Sequence, residues 1–343
     1  MIIQLEKPTL RRKDMDAVLQ TMADEKIGPG ELTQQFITLL KNYMGDVDFV
    51  FALRDRYHAL SYALTAIGVG KGSVIGVSAL SPKFYVDVAN TLGATLQIFD
   101  VDPETGVLSF EEISRYDTSM LSALLLYEPY GNIPSDSAWN SLGLPIVEDI
   151  TESFASVYNL RKAGSVGNIV VCSFEESCIV STAGGSAILT DDAEIGSSLE
   201  TLLEYSYPYL ALPSMNAALG VVQLSQLDKN LKKRRSILDT YRNALMKTRH
   251  TQFGIQDIDF EINGYGFVAI LDSKPSIAQQ FALRYEVATE MAFPQTVISD
   301  SLEAFDRFPF AIPCATRGVR FPLYPFLGNQ QIIQIEKVIS HLP

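Results

Sequence analysis

Cysteine is scarce in this chain, with three residues at Cys172, Cys178 and Cys314. An odd number without a close pair argues against a disulfide framework and against zinc ligation, so no metal site is expected. Long apolar runs are also missing. The first residues, MIIQLEKPTLRRKDMD, lack the apolar segment of a secretory signal. No run approaches the roughly 18 apolar residues of a membrane span. Positive charge is in deficit, with 27 Lys and Arg against 40 Asp and Glu and a formal net charge of -13. Nucleic-acid backbones and anionic membranes both require a basic face, so neither is an expected partner. The basic cluster at residues 232–235 lies inside a helical pattern and reads as a solvated face. Repeats and low-complexity tracts are absent. A soluble chain in a reducing, cytoplasmic compartment is the expectation.

What is present is ordinary globular material. Hydrophobic residues make up 47% and charged residues 20% of 343, enough for a large core and roughly two domains. Apolar, β-branched runs at 49–53, 74–77, 96–99 and 122–126 read as strands. Helical patterns at 13–26, 33–43, 58–67 and 82–91 lie before and between them. Strands and helices in alternation mean βαβ units and a mostly parallel sheet. Further helices are expected over 193–206 and, as one long element, over 215–247. From about residue 250 the texture changes: a strand at 267–271, a helix at 276–284, then a Pro- and aromatic-rich stretch over 301–325. The expected division is a large domain over 1–240 and a smaller α+β domain over 241–343.

The stretch 145–190 carries the polar residues of interest. Two apolar runs, 144–147 and 169–174, are expected to deliver Glu148-Asp149 and Ser173-Phe174 at their C-terminal ends, with Gly184-Gly185 beyond. Ligands of open α/β sheets bind outside the carboxyl ends of the strands, so these residues mark a candidate site.

Several motifs in order resemble those of the DegT/DnrJ/EryC1/StrS sugar aminotransferases. Ile27-Gly28-Pro29-Gly30 with Phe36 is similar to that family's N-terminal segment. Residues 59–72 resemble "A-A-L-x-L-A-L-x-A-L-G-I-G-P-G-D", and residues 93–102 resemble "G-A-x-P-V-F-V-D-V-D". Tyr130-Gly131 fits "H-L-Y-G", Glu148-Asp149 fits "E-D-A-A-Q-A", and residues 164–168 fit "G-S-x-G-D". Residues 217–220 with Gln223-Leu224 fit "A-A-L-G-x-x-Q-L", and residues 321–325 fit "L-P-L-Y-P". Each motif is short; their order along nearly the whole chain carries the resemblance. It implies a fold-type-I pyridoxal-phosphate (PLP) transferase architecture: α/β, a mostly parallel sheet sandwiched by helices, with the smaller C-terminal domain. It also implies PLP or pyridoxamine phosphate (PMP) as cofactor, a nucleotide-sugar or other small-molecule ligand, and a homodimer.

The resemblance assigns roles residue by residue. Asp149 matches the Asp that keeps the PLP ring nitrogen protonated, which makes the ring an electron sink. Glu152 stands where the family has a Gln near the ring. Ser173 matches a phosphate-holding Ser. The departures concern the reactive groups. Family pattern S-F-x-x-x-K supplies the Schiff-base lysine; residues 173–178 place Cys178 there. The phosphate-loop S-G-T reads Asp55-Arg56-Tyr57, and the N-x-R that reaches across the dimer aligns with Tyr209 and Ala211. A nucleophilic thiol needs nearby positive charge, and the neighbours Glu175 and Glu176 are acidic, so Cys178 reads as a small buried thiol. Arg56 either binds an anion or fills the cofactor space and pairs with Asp149 or Glu152; the second is expected, because buried carboxylates left unpaired are costly. Lys83 reads as a solvated residue at a helix start. Two functions follow. One is a family member tied to nucleotide-sugar or surface-polysaccharide biosynthesis but without ordinary transaminase activity, carrying no cofactor or a non-covalent one. The other is a working PLP or PMP enzyme with unusual site chemistry, as in the family's dehydratase branch, where His replaces the lysine.

Overall fold

In the computed structural model, the described residues are 2–134, 138–255, 257, 259–301 and 305–343. Residues 302–304 of the Pro- and aromatic-rich stretch lie outside them. The strands are Phe49–Leu53 (β1), Val74–Ser78 (β2), Thr95–Phe99 (β3), Ala123–Tyr127 (β4), Ile146–Asp149 (β5), Val157–Tyr158 (β6), Arg161–Lys162 (β7), Ile169–Ser173 (β8), Ser186–Thr190 (β9), Thr251–Gln252 (β10), Phe260–Glu261 (β11), Phe267–Ile270 (β12), Glu290–Met291 (β13) and Gly318–Phe321 (β14). The helices are Arg12–Ala23 (α1), Glu31–Met44 (α2), Arg56–Ala66 (α3), Phe84–Leu92 (α4), Phe110–Ser114 (α5), Ala193–Leu203 (α6), Tyr207–Leu210 (α7), Ser214–Ser225 (α8), Leu227–Leu245 (α9), Pro275–Arg284 (α10), Ala311–Arg317 (α11) and Asn329–Ser340 (α12).

Seven strands form the main sheet in the order β1-β9-β8-β5-β4-β2-β3. Strands β3, β2, β4, β5 and β8 pair in parallel, and β9 runs antiparallel to both β8 and β1. Burial on both faces explains the unbroken apolar strand sequences. In β4 every residue is buried: Ala123, Leu125 and Tyr127 join the core under α3, α4 and α6, while Leu124 and Leu126 pack with Trp139 on the other face. This is the period-two alternation of a strand between two layers.

A second sheet, β10-β12-β14-β13, is antiparallel throughout. Its strand β12 shares a hydrophobic core with α2, α9 and α12. Asp100, just past β3, accepts the backbone N–H groups of Phe310 and Ala311 at 2.9 Å each. That buried carboxylate ties the start of α11 to the edge of the main sheet.

Three expectations are corrected. The element expected over 215–247 is two helices, α8 and α9, parted at Gln226, whose φ of -113° and ψ of 5° leave the helical region. Strand β5 runs through Glu148 and Asp149 instead of ending before them, because both pair with Val170 and Val171 of β8. The basic cluster at 232–235 is not simply a solvated face: Arg234 is buried, and Arg235 donates to the carbonyl of Ile262 and the carboxylate of Glu261.

Candidate functional site

Strands β4, β5 and β8 end at one edge of the main sheet, beside the first turn of α3. Asp149, the last residue of β5, is fully buried. Its Oδ2 accepts a hydrogen bond from Arg56 Nε at 2.8 Å and one from the Tyr85 hydroxyl at 2.6 Å. Arg56 Nη2 lies 2.6 Å from the same oxygen. Oδ1 accepts from the backbone N–H of Thr151 at 3.2 Å and from its hydroxyl at 2.6 Å. The Arg56 guanidinium also faces the rings of Phe84 and Tyr85, 5.1 and 6.0 Å from their centroids. Burial is the largest single influence and opposes its charge, but the Asp149 carboxylate, Tyr85 and Tyr127 together raise the Arg56 pKa well above its ordinary value. The same environment holds the Tyr85 phenol protonated, through burial first and the adjacent Asp149 charge second.

The residues aligned with the phosphate loop are engaged within the protein. Asp55 caps α3: Oδ1 accepts the His58 backbone N–H at 2.8 Å, and Oδ2 lies 2.8 Å from His58 Nδ1. Tyr57 points away from Asp149 toward α4, where its hydroxyl meets Thr91 Oγ1 at 2.5 Å and the Asp87 carbonyl at 3.3 Å. Tyr57, expected in an altered cofactor site, thus faces the neighbouring helix from the first turn of α3. Ser173 donates to the Gly185 carbonyl at 3.2 Å and lies 3.4 Å from Glu175 Oε1. Its N–H donates to Thr151 Oγ1 at 3.0 Å, linking the ends of β5 and β8.

Cys178 follows in a turn beyond β8, 7% exposed, with its backbone N–H on the Glu175 carbonyl at 3.1 Å. Burial pushes its thiol up to about 12, against a smaller opposing pull from Arg56. At neutral pH it is a thiol, a poor nucleophile and no proton-shuttling base. Glu152 accepts the Tyr130 backbone N–H at 2.9 Å. Burial raises its pKa, while the bonds from Tyr130 and Tyr127 and the charge of Arg56 oppose the rise.

Arg56, Asp149 and Glu152 thus converge, with Cys178 and Ser173 nearby. Lys83 is paired with Asp300 at 3.0 Å on the surface, and Arg54 donates to the Tyr209 carbonyl at 2.8 Å. Tyr205 and Tyr209 are exposed, whereas Tyr207 packs edge-on to Phe51. Sequence reasoning missed Tyr85 and Thr151. The second had a signal, because a Thr two residues past a buried Asp can hydrogen-bond it locally. Tyr85 had none, since its contact spans the helix after β2 and the end of β5.

The family model for the DegT/DnrJ/EryC1/StrS aminotransferase family matches residues 8–340. A GDP-perosamine synthase of Escherichia coli is 24% identical over 360 residues, covering 98% of each chain. Among solved structures, a candidate sugar aminotransferase of Streptococcus pneumoniae in its PLP-form aligns with a TM-score of 0.86 at 16% identity, over 100% of this chain and 98% of that one. A mutant GDP-4-keto-6-deoxymannose-3-dehydratase with bound GDP-perosamine aligns with a TM-score of 0.85 at 16% identity, over 98% and 99%. At such identities these two likenesses show the fold.

Proposed function

Since the chain belongs to the DegT/DnrJ/EryC1/StrS aminotransferase family, we propose that it serves nucleotide-sugar biosynthesis on the family fold without ordinary transaminase activity. The observation that carries this reading is the Arg56–Asp149 ion pair. In the family resemblance, Asp149 holds the ring nitrogen of PLP. Here a guanidinium from the phosphate-loop position takes that carboxylate, assisted by Tyr85.

The residues present do not fit a covalently held PLP. Cys178 offers no amine for a Schiff base. The Asp55 carboxylate already occupies the N-terminus of α3, where a phosphate would draw on the helix dipole. Two like charges at one helix start repel, so Asp55 works against a phosphate there. A nucleotide-sugar ligand is supported by relatives such as the GDP-perosamine synthase and by the GDP-perosamine bound in the dehydratase neighbour.

The test is an absorbance spectrum of the purified chain with PLP, before and after borohydride, alongside calorimetric titration with GDP-, UDP- and dTDP-sugars. The expected result is no aldimine band, no reduced lysine adduct, and binding of at least one nucleotide sugar. A reducible band that fixes the cofactor on a lysine overturns the reading. Turnover with PMP in place of PLP would move the chain to the second reading, a non-covalent PMP enzyme.

A further inference from the structure

Helix α9 has a polar side as well as an apolar one. Asp228, Lys232, Arg235, Ser236 and Asp239 recur along it at helical spacing. A solvated helix face is ordinarily convex. This one lines a groove of about 660 Å³, which lies in the size range of small-ligand sites. The rest of the groove comes from other elements: Tyr43 near the end of α2, Val157 of β6 and Glu261 of β11. Leu231 and Ala155 add apolar surface to it.

The charges of the groove nearly balance, yet only some of them are paired. Arg235 donates to Glu261 at 2.6 Å and to the Ile262 carbonyl at 3.0 Å. Asp239 lies 3.8 Å from Arg242. The side chains of Asp228 and Lys232 have neither a hydrogen bond nor an ion pair among the described residues. The hydroxyl of half-buried Tyr43 has no hydrogen-bond partner among them either. Burial first, and the Asp228 charge second, push that phenol up to about 12, so it is protonated at neutral pH. A donor without an acceptor thus stands near a carboxylate without a donor. The two are close enough for the Asp228 charge to act on the phenol, but they are not bonded. The gap suits a group that accepts from one and donates to the other.

We propose that this groove binds a neutral saccharide. A sugar hydroxyl accepts and donates at once, so a single hydroxyl satisfies Tyr43 and Asp228 together. Further hydroxyls meet Lys232, a donor, and Ser236, which serves either way. The C–H surface of a sugar ring is matched by Leu231, Val157 and Ala155. Charged ligands fit less well: an anion meets the carboxylates of Asp228, Asp239 and Glu261, and a cation meets Lys232 and Arg235. The Tyr43 ring is already engaged by Phe154, 5.2 Å away, and by Lys162 Nζ, 5.1 Å from its centroid. Recognition therefore rests on hydrogen bonds that compete with water, and binding is weak. None of the groove residues belongs to the Asp149 cluster, so the assignment holds whether or not that cluster serves a nucleotide sugar.

The experiment uses the full chain and saturation-transfer NMR, which detects weakly bound ligands through their own protons. The probes are maltotriose, mannotriose and triacetylchitotriose, with spermidine as the cation and citrate as the anion. At least one trisaccharide should receive saturation, and spermidine and citrate should not. Excess GDP should leave the signal in place; displacement by GDP would assign it to a nucleotide site and overturn the proposal. Ser236→Trp puts a large ring into the groove from an exposed position and should cut the signal at least fivefold. Tyr43→Phe removes one hydroxyl, keeps the ring packing and should cut it at least twofold, which keeps the test open should the first variant fail to fold. No transfer to any trisaccharide would mean that the groove holds water alone. That result, equal transfer to spermidine or citrate, or a signal intact in both variants overturns the proposal.

Discussion

Asp149 is held by three side chains, and each contact has a different weight. The Tyr85 and Thr151 bonds are neutral donors; Arg56 alone supplies opposite charge. Arg56→Met leaves a buried carboxylate without its counter-ion, and breaking such a pair costs about 3–5 kcal/mol. The loss is read as a lower midpoint in urea unfolding with an unchanged slope. The double variant Arg56→Met/Asp149→Asn should recover part of it, because the stranded charge is gone; a double variant no better than the single one would deny the ion pair its role. Cys178 gives an independent check. With its thiol pushed up to about 12 by burial, it should resist iodoacetamide at pH 8 in the native protein and react readily in urea, as peptide mass mapping would resolve. Rapid native labelling would mean a stabilised thiolate and reopen a nucleophilic role.

At the scale of elements, the ends of β4 and β5 carry a second acidic arrangement. Glu128, just past β4, is fully buried, and Ser153 donates to its Oε2. Glu148 in β5 accepts the N–H groups of Gly164 and Val166 at 2.8 Å, and that of Gly167. Burial first, and the neighbouring Glu148 charge next, raise the Glu128 pKa well above its ordinary 4.5. The folded chain therefore holds a proton that the unfolded chain releases once pH passes about 4.5. Stability contributed by that proton is complete below this pH and declines as pH rises toward the raised value. Glu152 acts with the same sign. Glu128→Gln should flatten the fall in stability across this window, measured as Tm against pH; an identical profile would show that Glu128 is ionised in the native state. These strand ends were largely legible in advance, because buried parallel strands are unbroken apolar runs and their turns carry Gly, Pro and Asp. The error at β5 arose because Glu148 and Asp149 are polar yet paired in the ladder, which hydropathy cannot register. The single helix expected over 215–247 divides because α8 packs on α1 and α2 whereas α9 packs on α12, and Arg11 reaches in to bond Asn230 at 2.7 Å beside the break. Arg234 had a signal that its charge obscured: with Leu227, Leu231, Leu238, Tyr241 and Leu245 it falls on the apolar period of α9, and all six are buried.

At the scale of the whole molecule, the family motifs kept in this chain lie where elements touch, which is why the fold was readable when the chemistry was not. Gly220 is one case: a Cβ there would stand 2.4 Å from Phe36, so the resemblance to "A-A-L-G" preserves the close approach of α8 to α2. The Arg56–Asp149 contact, by contrast, joins residues 93 apart in sequence; a carboxylate partner for Arg56 is expected from the sequence, which leaves open whether it is Asp149 or Glu152. Among the described residues, α1 carries an exposed apolar face. On α1, Met15, Leu19 and Met22 are 54%, 60% and 52% exposed, and their spacing puts them on one helical face. Ile27, beyond the helix, is 54% exposed. No described helix is long and apolar enough to cross a membrane, and the formal charge of -13 disfavours an anionic surface as cover. A second copy of the chain, as the family resemblance implies, is the occupant expected here. Light scattering at micromolar concentration should return a dimer mass, and Leu19→Asp should shift it toward the monomer while leaving far-ultraviolet circular dichroism unchanged, since Leu19 is exposed in the free chain. A monomeric wild type refutes the dimer, whereas a dimer indifferent to Leu19→Asp places its interface elsewhere, with exposed Tyr205 and Tyr209 the next residues to substitute.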